Sequence, residues 1–323
     1  MLPHCSITET HDLSRRVNEL FHDREGAAYD TVHPEIFERE RRRWEEVCRL
    51  FVSGADQPLV SLDIGCGTGF VGMHLLQYLP IGSTLTCADI SKEMLAVCKE
   101  KLTPCAQGKT LRFLKMQTEV LDLPDNSVDL VTMNSVLHHM PAYKKLLTEI
   151  ERVLKPEGIV CIGHEPCSIF FTNSFLRVQA QCLHQLTWKR MAARCLRWCG
   201  LYGKVVQSTA TKNSMVDAIN AVLIQEQRIE HPLTAGDISM LVDIHSPTAG
   251  GMRTDEGFNP LTLLNAWNGP STILFLQTYN HLLKMSDKGT VRRAYGKVLR
   301  YFFPLSGSTF FLVARKTLTT NAS

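Results

Sequence analysis

Leu62-Asp63-Ile64-Gly65-Cys66-Gly67-Thr68-Gly69 decides the fold. The apolar run Leu59 to Ile64 ends in three alternate glycines, and helical spacing begins at Phe70. A strand that turns this sharply into a helix needs residues that accept positive φ and leave no side chain in the way. The backbone can then approach a ligand at the helix N-terminus, where free N–H groups and the dipole favour negative or polar groups. The spacing discriminates among ligands. A phosphate-binding loop requires Gly-Lys-Ser/Thr after four intervening residues, which is absent. The dinucleotide fingerprint requires Gly or Ala where Phe70 stands. Asp89 follows a second strand, Leu85 to Ala88, at the place where a carboxylate accepts bonds from both ribose hydroxyls.

Strands and helices alternate outward from this point. Ser91 is placed to cap a helix carrying Met94, Leu95 and Cys98. Leu111–Met116, Val128–Met133 and Ile159–Gly163 read as strands, and Pro141–Leu154 as a helix with Leu146, Leu147 and Ile150 on one side. Largely apolar strands alternating with helices predict a parallel sheet covered on both faces. Upstream, Pro34 opens a helix to about Val52. Its Arg39, Arg41, Arg42 and Arg43 are offset by Glu38, Glu40, Glu45 and Glu46, which reads as a solvated face. Downstream the rhythm stops at Pro166; strands return only at Ile273–Gln277 and Thr309–Ala314, with helical material at about 279–302 between them. The expected organisation is an N-terminal helical segment (1–57), an α/β core (58–165), a helical cap or substrate region (166–260), and closing strands and helices (261–323).

Composition narrows the class. With 44% hydrophobic and 21% charged residues in 323, the chain is neither disordered nor collagen-like. No run of about 18 apolar residues is present to span a bilayer. The N-terminus does not read as a signal peptide. Eleven scattered cysteines form no CxxC pair, which predicts reduced thiols and a cytoplasmic protein. Cys195 and Cys199 have no second pair at ligand spacing, so no metal is expected. Residues 166–216 hold seven Lys or Arg and no acid.

These motifs resemble the class I S-adenosylmethionine-dependent methyltransferases, in particular the small-molecule branch of the ubiquinone and menaquinone methyltransferases. The resemblance rests on Leu62 to Gly69, Ala88-Asp89-Ile90-Ser91 with Met94-Leu95, Leu123-Pro124, Ser127-Val128-Asp129, Val136-Leu137-His138-His139 and Glu151 to Gly158. Phe310 to Lys316 is similar to the family's last, antiparallel strand. It implies an α/β fold: a Rossmann-like methyltransferase sheet, mostly parallel, plus a large helical cap. It also implies S-adenosyl-L-methionine as cofactor. Gly65, Cys66, Gly67 and Gly69 would wrap its methionine part, with Asp63 near the ammonium group and Asn134 beside it. Asp89 and Ile90 would hold the ribose, and Glu119 with Val120 the adenine. Glu119 stands where the family usually has Asp, and Glu157 where it usually has Gly.

Methyl transfer from a sulfonium is an in-line displacement, so the protein supplies alignment, water exclusion and, for some acceptors, a base. The site lies beyond the carboxyl ends of the strands, which makes His139, His164 and Glu165 the catalytic candidates. Arg190, Arg194 and Arg197 on one helical ridge, and His245 in a loop, are the candidates for holding an acceptor. The expected partner is a small-molecule acceptor, anionic or apolar, with O-methylation favoured over N- or C-methylation. A lipid or carrier-bound acyl acceptor, peripheral membrane contact, and a cofactor-binding partner protein without turnover stay open. Nucleic acid is disfavoured, because Asn134-Ser135-Val136-Leu137 lacks the Pro-Pro-aromatic sequence of amino-methylating nucleic-acid enzymes.

Overall fold

A computed structural model describes residues 7–32, 34–185, 209–247, 255–281 and 297–318. Seven strands form one sheet: β1 (Val60–Ile64), β2 (Thr84–Asp89), β3 (Thr110–Lys115), β4 (Val128–Asn134), β5 (Leu154–Pro166), β6 (Ser271–Tyr279) and β7 (Thr309–Lys316). Their order is β3-β2-β1-β4-β5-β7-β6. β1 to β5 pair in parallel, and β7 runs antiparallel to both of its neighbours. The sheet is therefore the mostly parallel one that the alternation predicts, closed by an antiparallel last strand. β5 is longer than the apolar run Ile159–Gly163, since its backbone keeps pairing with β7 as far as Pro166.

Apolar side chains leave both faces of the sheet. On one face Leu146, Leu147 and Ile150 of α6 (Tyr143–Val153) bury against Leu62, Val131 and Ile162. On the other, Trp44 and Val47 of α3 (Pro34–Phe51) join Leu75 and Leu76 of α4 (Phe70–Tyr78). Leu95 and Cys98 of α5 (Lys92–Leu102) complete that layer. Ser91 caps α5 by accepting the N–H of Met94 at 3.1 Å. At Gly65, φ is +60°, and an added Cβ would lie 2.5 Å from the Val136 side chain; the turn cannot be made there with any other residue.

The N-terminal segment and the region after β5 build a second, smaller core together. Leu13, Val17 and Leu20 of α1 (Ile7–Glu25) pack on Ile219 and Leu223 of α9 (Thr209–Gln225) and on Ile238 and Leu241 of α10 (Ala235–Val242). Ser14 Oγ donates to the Leu241 carbonyl at 2.6 Å, and Asn18 Nδ2 bridges the Leu241 and Val242 carbonyls at 3.2 Å. Two short helices follow β5, α7 (Ser168–Thr172) and α8 (Ser174–Gln185), and α2 (Tyr29–Val32) follows α1. Residues 297–302 are helical, whereas the rest of the helical stretch expected near 279–302 lies largely outside the described residues.

The α3 face departs from the sequence expectation. Arg41 and Glu45 do pair four residues apart at the surface. Glu40, however, is fully buried, with Arg43 at 3.0 Å, His164 Nδ1 at 3.0 Å and the donating Tyr279 hydroxyl at 3.0 Å. Charge counting along the helix could not foresee this, because two of the partners come from β5 and β6. Burial pushes the Glu40 carboxyl up, but His164, Arg43 and Tyr279 together hold it below the usual carboxylate range. Removing one member of a buried ionic group leaves the others uncompensated. Glu40→Ala is expected to cost about 3 kcal/mol in urea unfolding. Because the native carboxyl titrates low, its contribution is present above the unfolded-state value and fades as pH falls through the native one. The gap between wild type and variant should therefore shrink in acid.

Candidate active site

The carboxyl ends of β1, β2 and β4 meet at a cavity of about 800 Å³, its solvent mouth included. Gly65 and Gly67 form one wall, Asp89 and Ile90 the next, and Gln117, Thr118 and Glu119 the far end. Asn134, Ser135, Val136, His139 and Met140 line the side below β4. Asp89 is nearly inaccessible; its Oδ2 accepts the Gly67 N–H at 2.8 Å and its Oδ1 the Ser91 N–H at 2.9 Å. One carboxylate thus joins the glycine loop to the start of α5. Burial lifts the Asp89 carboxyl above its ordinary value against the pull of those two N–H groups. Glu119 is also buried, with Arg15 Nε 3.4 Å from its Oε1. The Asn134 amide oxygen accepts the Trp44 indole N–H at 2.9 Å, which fixes which end of the amide faces the cavity.

The roof comes from the N-terminus, where sequence reading found only weak signals. Arg15, Asn18 and His22 of α1 and Tyr29 of α2 line the same cavity. Asp23 accepts from Ser91 Oγ at 2.7 Å, and Asp30 accepts from Thr68 Oγ1 at 2.6 Å and is paired with Lys101. The available signal was the spacing of Leu13, Val17 and Leu20, an apolar stripe with Arg15, Asn18 and His22 on the adjoining ridge.

Other predicted residues fall outside the cavity. Asp63 sits beneath the glycine loop, fully buried, with Oδ1 accepting the Thr132 hydroxyl at 2.7 Å and Oδ2 without a partner. Burial lifts its carboxyl well above the ordinary value. Cys66 lines a smaller neighbouring cavity with Phe37, Thr68 and Phe70. Val120 is half exposed. His164 faces Glu40 and Tyr279 rather than either cavity. Glu165 is a clamp and not an exposed acid. It is fully buried and accepts the N–H groups of Val136, Leu137 and His138 at 2.6, 2.8 and 3.2 Å, with His138 Nδ1 at 2.9 Å. Arg190, Arg194 and Arg197 lie outside the described residues, as do Cys195 and Cys199.

Of the catalytic candidates, His139 alone reaches the cavity. Its Nδ1 donates to the Val242 carbonyl at 2.9 Å and lies 3.2 Å from Asp243 Oδ1. Burial works to lower the His139 pKa, but Asp243 and the carbonyl win and hold it above the ordinary imidazole value. Burial likewise opposes ionisation of Asp243, yet His139, His138 and His22 bring its carboxyl down to about 2. His245 buttresses this turn from outside: its N–H donates to the His138 carbonyl at 3.0 Å, and its ring is held by Asp255 at 2.7 Å. Asp243 went unrecognised in the sequence, because nothing local marks a loop acid as the neighbour of a histidine a hundred residues away.

The strand order, the glycine turn after β1 and the buried acid at the end of β2 make this a Rossmann-like methyltransferase sheet. Residues 62–162, about a third of the chain, match the family model described as "Methyltransferase domain". The chain is 28% identical over 143 residues to the ubiquinone/menaquinone biosynthesis C-methyltransferase UbiE of Brucella anthropi, an overlap covering 44% of this chain and 54% of that protein. It is 29% identical over 145 residues to UbiE of Azotobacter vinelandii, covering 45% and 56%. It thus spans about half the length of the curated relatives it matches. A solved structure of a SAM-dependent methyltransferase from Aquifex aeolicus is also similar, with 27% identity, 39% of this chain and 64% of that one covered, and a TM-score of 0.35.

The cavity fits S-adenosylmethionine on its own chemistry. Gly67 has φ +51°, and a Cβ there would meet nothing within 4 Å, so the loop leaves clear space at its bend. Asp89 keeps lone pairs for a diol beyond its two backbone bonds. Met94, Met116, Ile90 and Val136 offer apolar contact for a heteroaromatic ring, with Glu119 at its edge. The cofactor or its demethylated product should raise stability by about 2.7 kcal/mol at a hundredfold excess over the dissociation constant. Asp89→Ala should lose most of that protection in a thermal shift assay. A second expectation concerns the roof: Asn18→Ala, which unties α1 from α10, should speed cofactor dissociation in stopped flow more than it slows association.

Proposed function

We propose that the chain is a cytoplasmic methyltransferase that moves the methyl group of S-adenosylmethionine to a hydroxyl oxygen of a small molecule. The observation that carries this reading is the joint lining of one cavity. The glycine loop, Asp89 and Glu119 supply a cofactor half, and His22, His139 and Met140 the remainder. The cofactor supplies the electrophilic methyl; the chain orients the two reactants and excludes water by way of the α1 roof. A hydroxyl acceptor must also shed its proton, and His139, which lines the cavity with Asp243 3.2 Å behind it, is the base assigned to that proton. The domain's relatives are named as C-methyltransferases. A carbon acceptor activated by a neighbouring hydroxyl requires the same proton to leave, which makes C-methylation the second reading. In support of the cytoplasm, the described cysteines are free thiols, as a reducing compartment keeps them.

The test is transfer of an isotopically labelled methyl group from S-adenosylmethionine into a metabolite extract, with products identified by mass and carbon NMR. Methyl ethers are the expected products. Exclusively C-methylated products would shift the assignment to the second reading, and no labelled product in any extract would remove the enzymatic one. His139→Gln should lower kcat by about a hundredfold or more, with cofactor affinity changed only a few-fold.

A further inference from the structure

His138 and His139, at the end of β4, meet Asp243, just past α10, beside the cavity wall. The ligand-capable atoms of these three residues all lie within 4.8 Å of one another, and none of the three is fully buried. His138 Nε2 is 3.8 Å from Asp243 Oδ1, and His139 Nδ1 is 3.2 Å from the same oxygen. Ligand–metal bonds of about 2.0–2.2 Å give edges of about 2.8–3.6 Å on octahedral and tetrahedral polyhedra, so the His139 pair is already at that spacing and the His138 pair has to close by a few tenths of an ångström.

The tautomer of His138 adds an independent observation. Its Nδ1 faces Glu165, whose carboxylate already accepts three backbone N–H groups and is locked in place. The proton of a neutral His138 therefore sits on Nδ1, and Nε2 presents a lone pair toward a carboxylate oxygen. Two acceptors 3.8 Å apart are bridged either by a proton on Nε2 or by a cation between them. A carboxylate behind a histidine that points its other nitrogen at a ligand position is the recurring outer-shell arrangement of metal sites.

We propose that His138, His139 and Asp243 form a three-ligand site, one carboxylate and two imidazoles, for a divalent first-row transition ion at the wall of the cofactor cavity. Such a set leaves coordination positions free and suits iron, cobalt, nickel or zinc better than magnesium or calcium. Loading removes the proton by which His139 now bonds the Val242 carbonyl and leaves the ring's other nitrogen protonated, so in the loaded site the ion takes over from His139 the activation of the acceptor hydroxyl. A bound ion would lower the pKa of an acceptor hydroxyl that ligates it. In that respect the inference deepens the proposed methyl transfer and names its acceptor class: small molecules with an oxygen able to bind a metal. The sequence expectation of no metal looked to cysteine pairs, whereas this site uses none.

The test is Co²⁺ binding to the untagged, chelator-treated full chain, followed by calorimetry and by the visible d–d absorption of the ion, with no cofactor or acceptor present. One equivalent per chain is expected, and the absorption should report nitrogen and oxygen ligands. Asp243→Ala and His139→Ala should each weaken binding at least tenfold. Glu165→Gln should weaken it about ten- to a hundredfold, and His138→Gln, which leaves the Glu165 backbone clamp in place, covers the case in which that variant fails to fold. Absence of Co²⁺ binding by the wild type, or equal binding by wild type, Asp243→Ala and His139→Ala, would overturn the site. A cluster that binds no ion while methyl transfer persists would make His139 and Asp243 a proton-transfer pair only, which separates failure of this inference from failure of the methyltransferase reading.

Discussion

The buried carboxylate of Asp89 holds the site together. Its two oxygens accept the N–H groups of Gly67 and Ser91, so the loop after β1 and the helix after β2 are fixed against each other by one side chain. The cost is a desolvated charge, visible in the raised pKa. That cost is tolerable because each oxygen has a backbone partner. Everything next to the cavity is referenced to this point: Ser91 also holds Asp23 of the roof, and Thr68, one residue beyond Gly67, holds Asp30.

A second carboxylate does the same work one strand over. Glu165 gathers the N–H groups of residues 136–138 and so sets the shape of the β4 turn that carries His139 to the cavity. Ser135 opens that turn with φ +63°. Two buried acids, each satisfied by main-chain donors, thus shape the two loops that flank the cavity. Buried charges are expensive, and here their value is positional: the donors they gather cannot drift without exposing an unpaired anion.

The core of the fold was legible because it is governed by short-range rules. Apolar runs bounded by glycine, helix spacing in phase with them, and Ser91 before α5 are all local, and the five parallel strands follow directly. The cavity was partly legible for the same reason: Gly65, Gly67, Asp89, Ile90, Glu119, Asn134 and His139 all line it. What escaped was set by distance along the chain. Glu40 looks like one more acid in a charged helix until β5 and β6 bring His164 and Tyr279 to it. Glu165 looks like a strand-end acid free to act, and only the folded β4 turn shows its lone pairs taken. The family resemblance places Asp63 near the cofactor's ammonium group; its side chain is buried, accepts the Thr132 hydroxyl and does not line the cavity.

The α1 roof shares its apolar core with α9 and α10, not with the sheet. Its ties to the sheet side are mainly polar and lie near Asp23, Asp30 and Arg15. A joint that is oily on one side and hydrogen-bonded on the other has a built-in parting line. The roof would lift with α9 and α10 as one body, breaking polar contacts that water can replace, those of His139 to Val242 and Asp243 among them, and keeping the apolar ones that it cannot. The timing of each turnover would then be written into an N-terminal helix that touches none of the glycines. Changes on α9, outside the cavity lining, would act as a clock on how long the chamber stays shut.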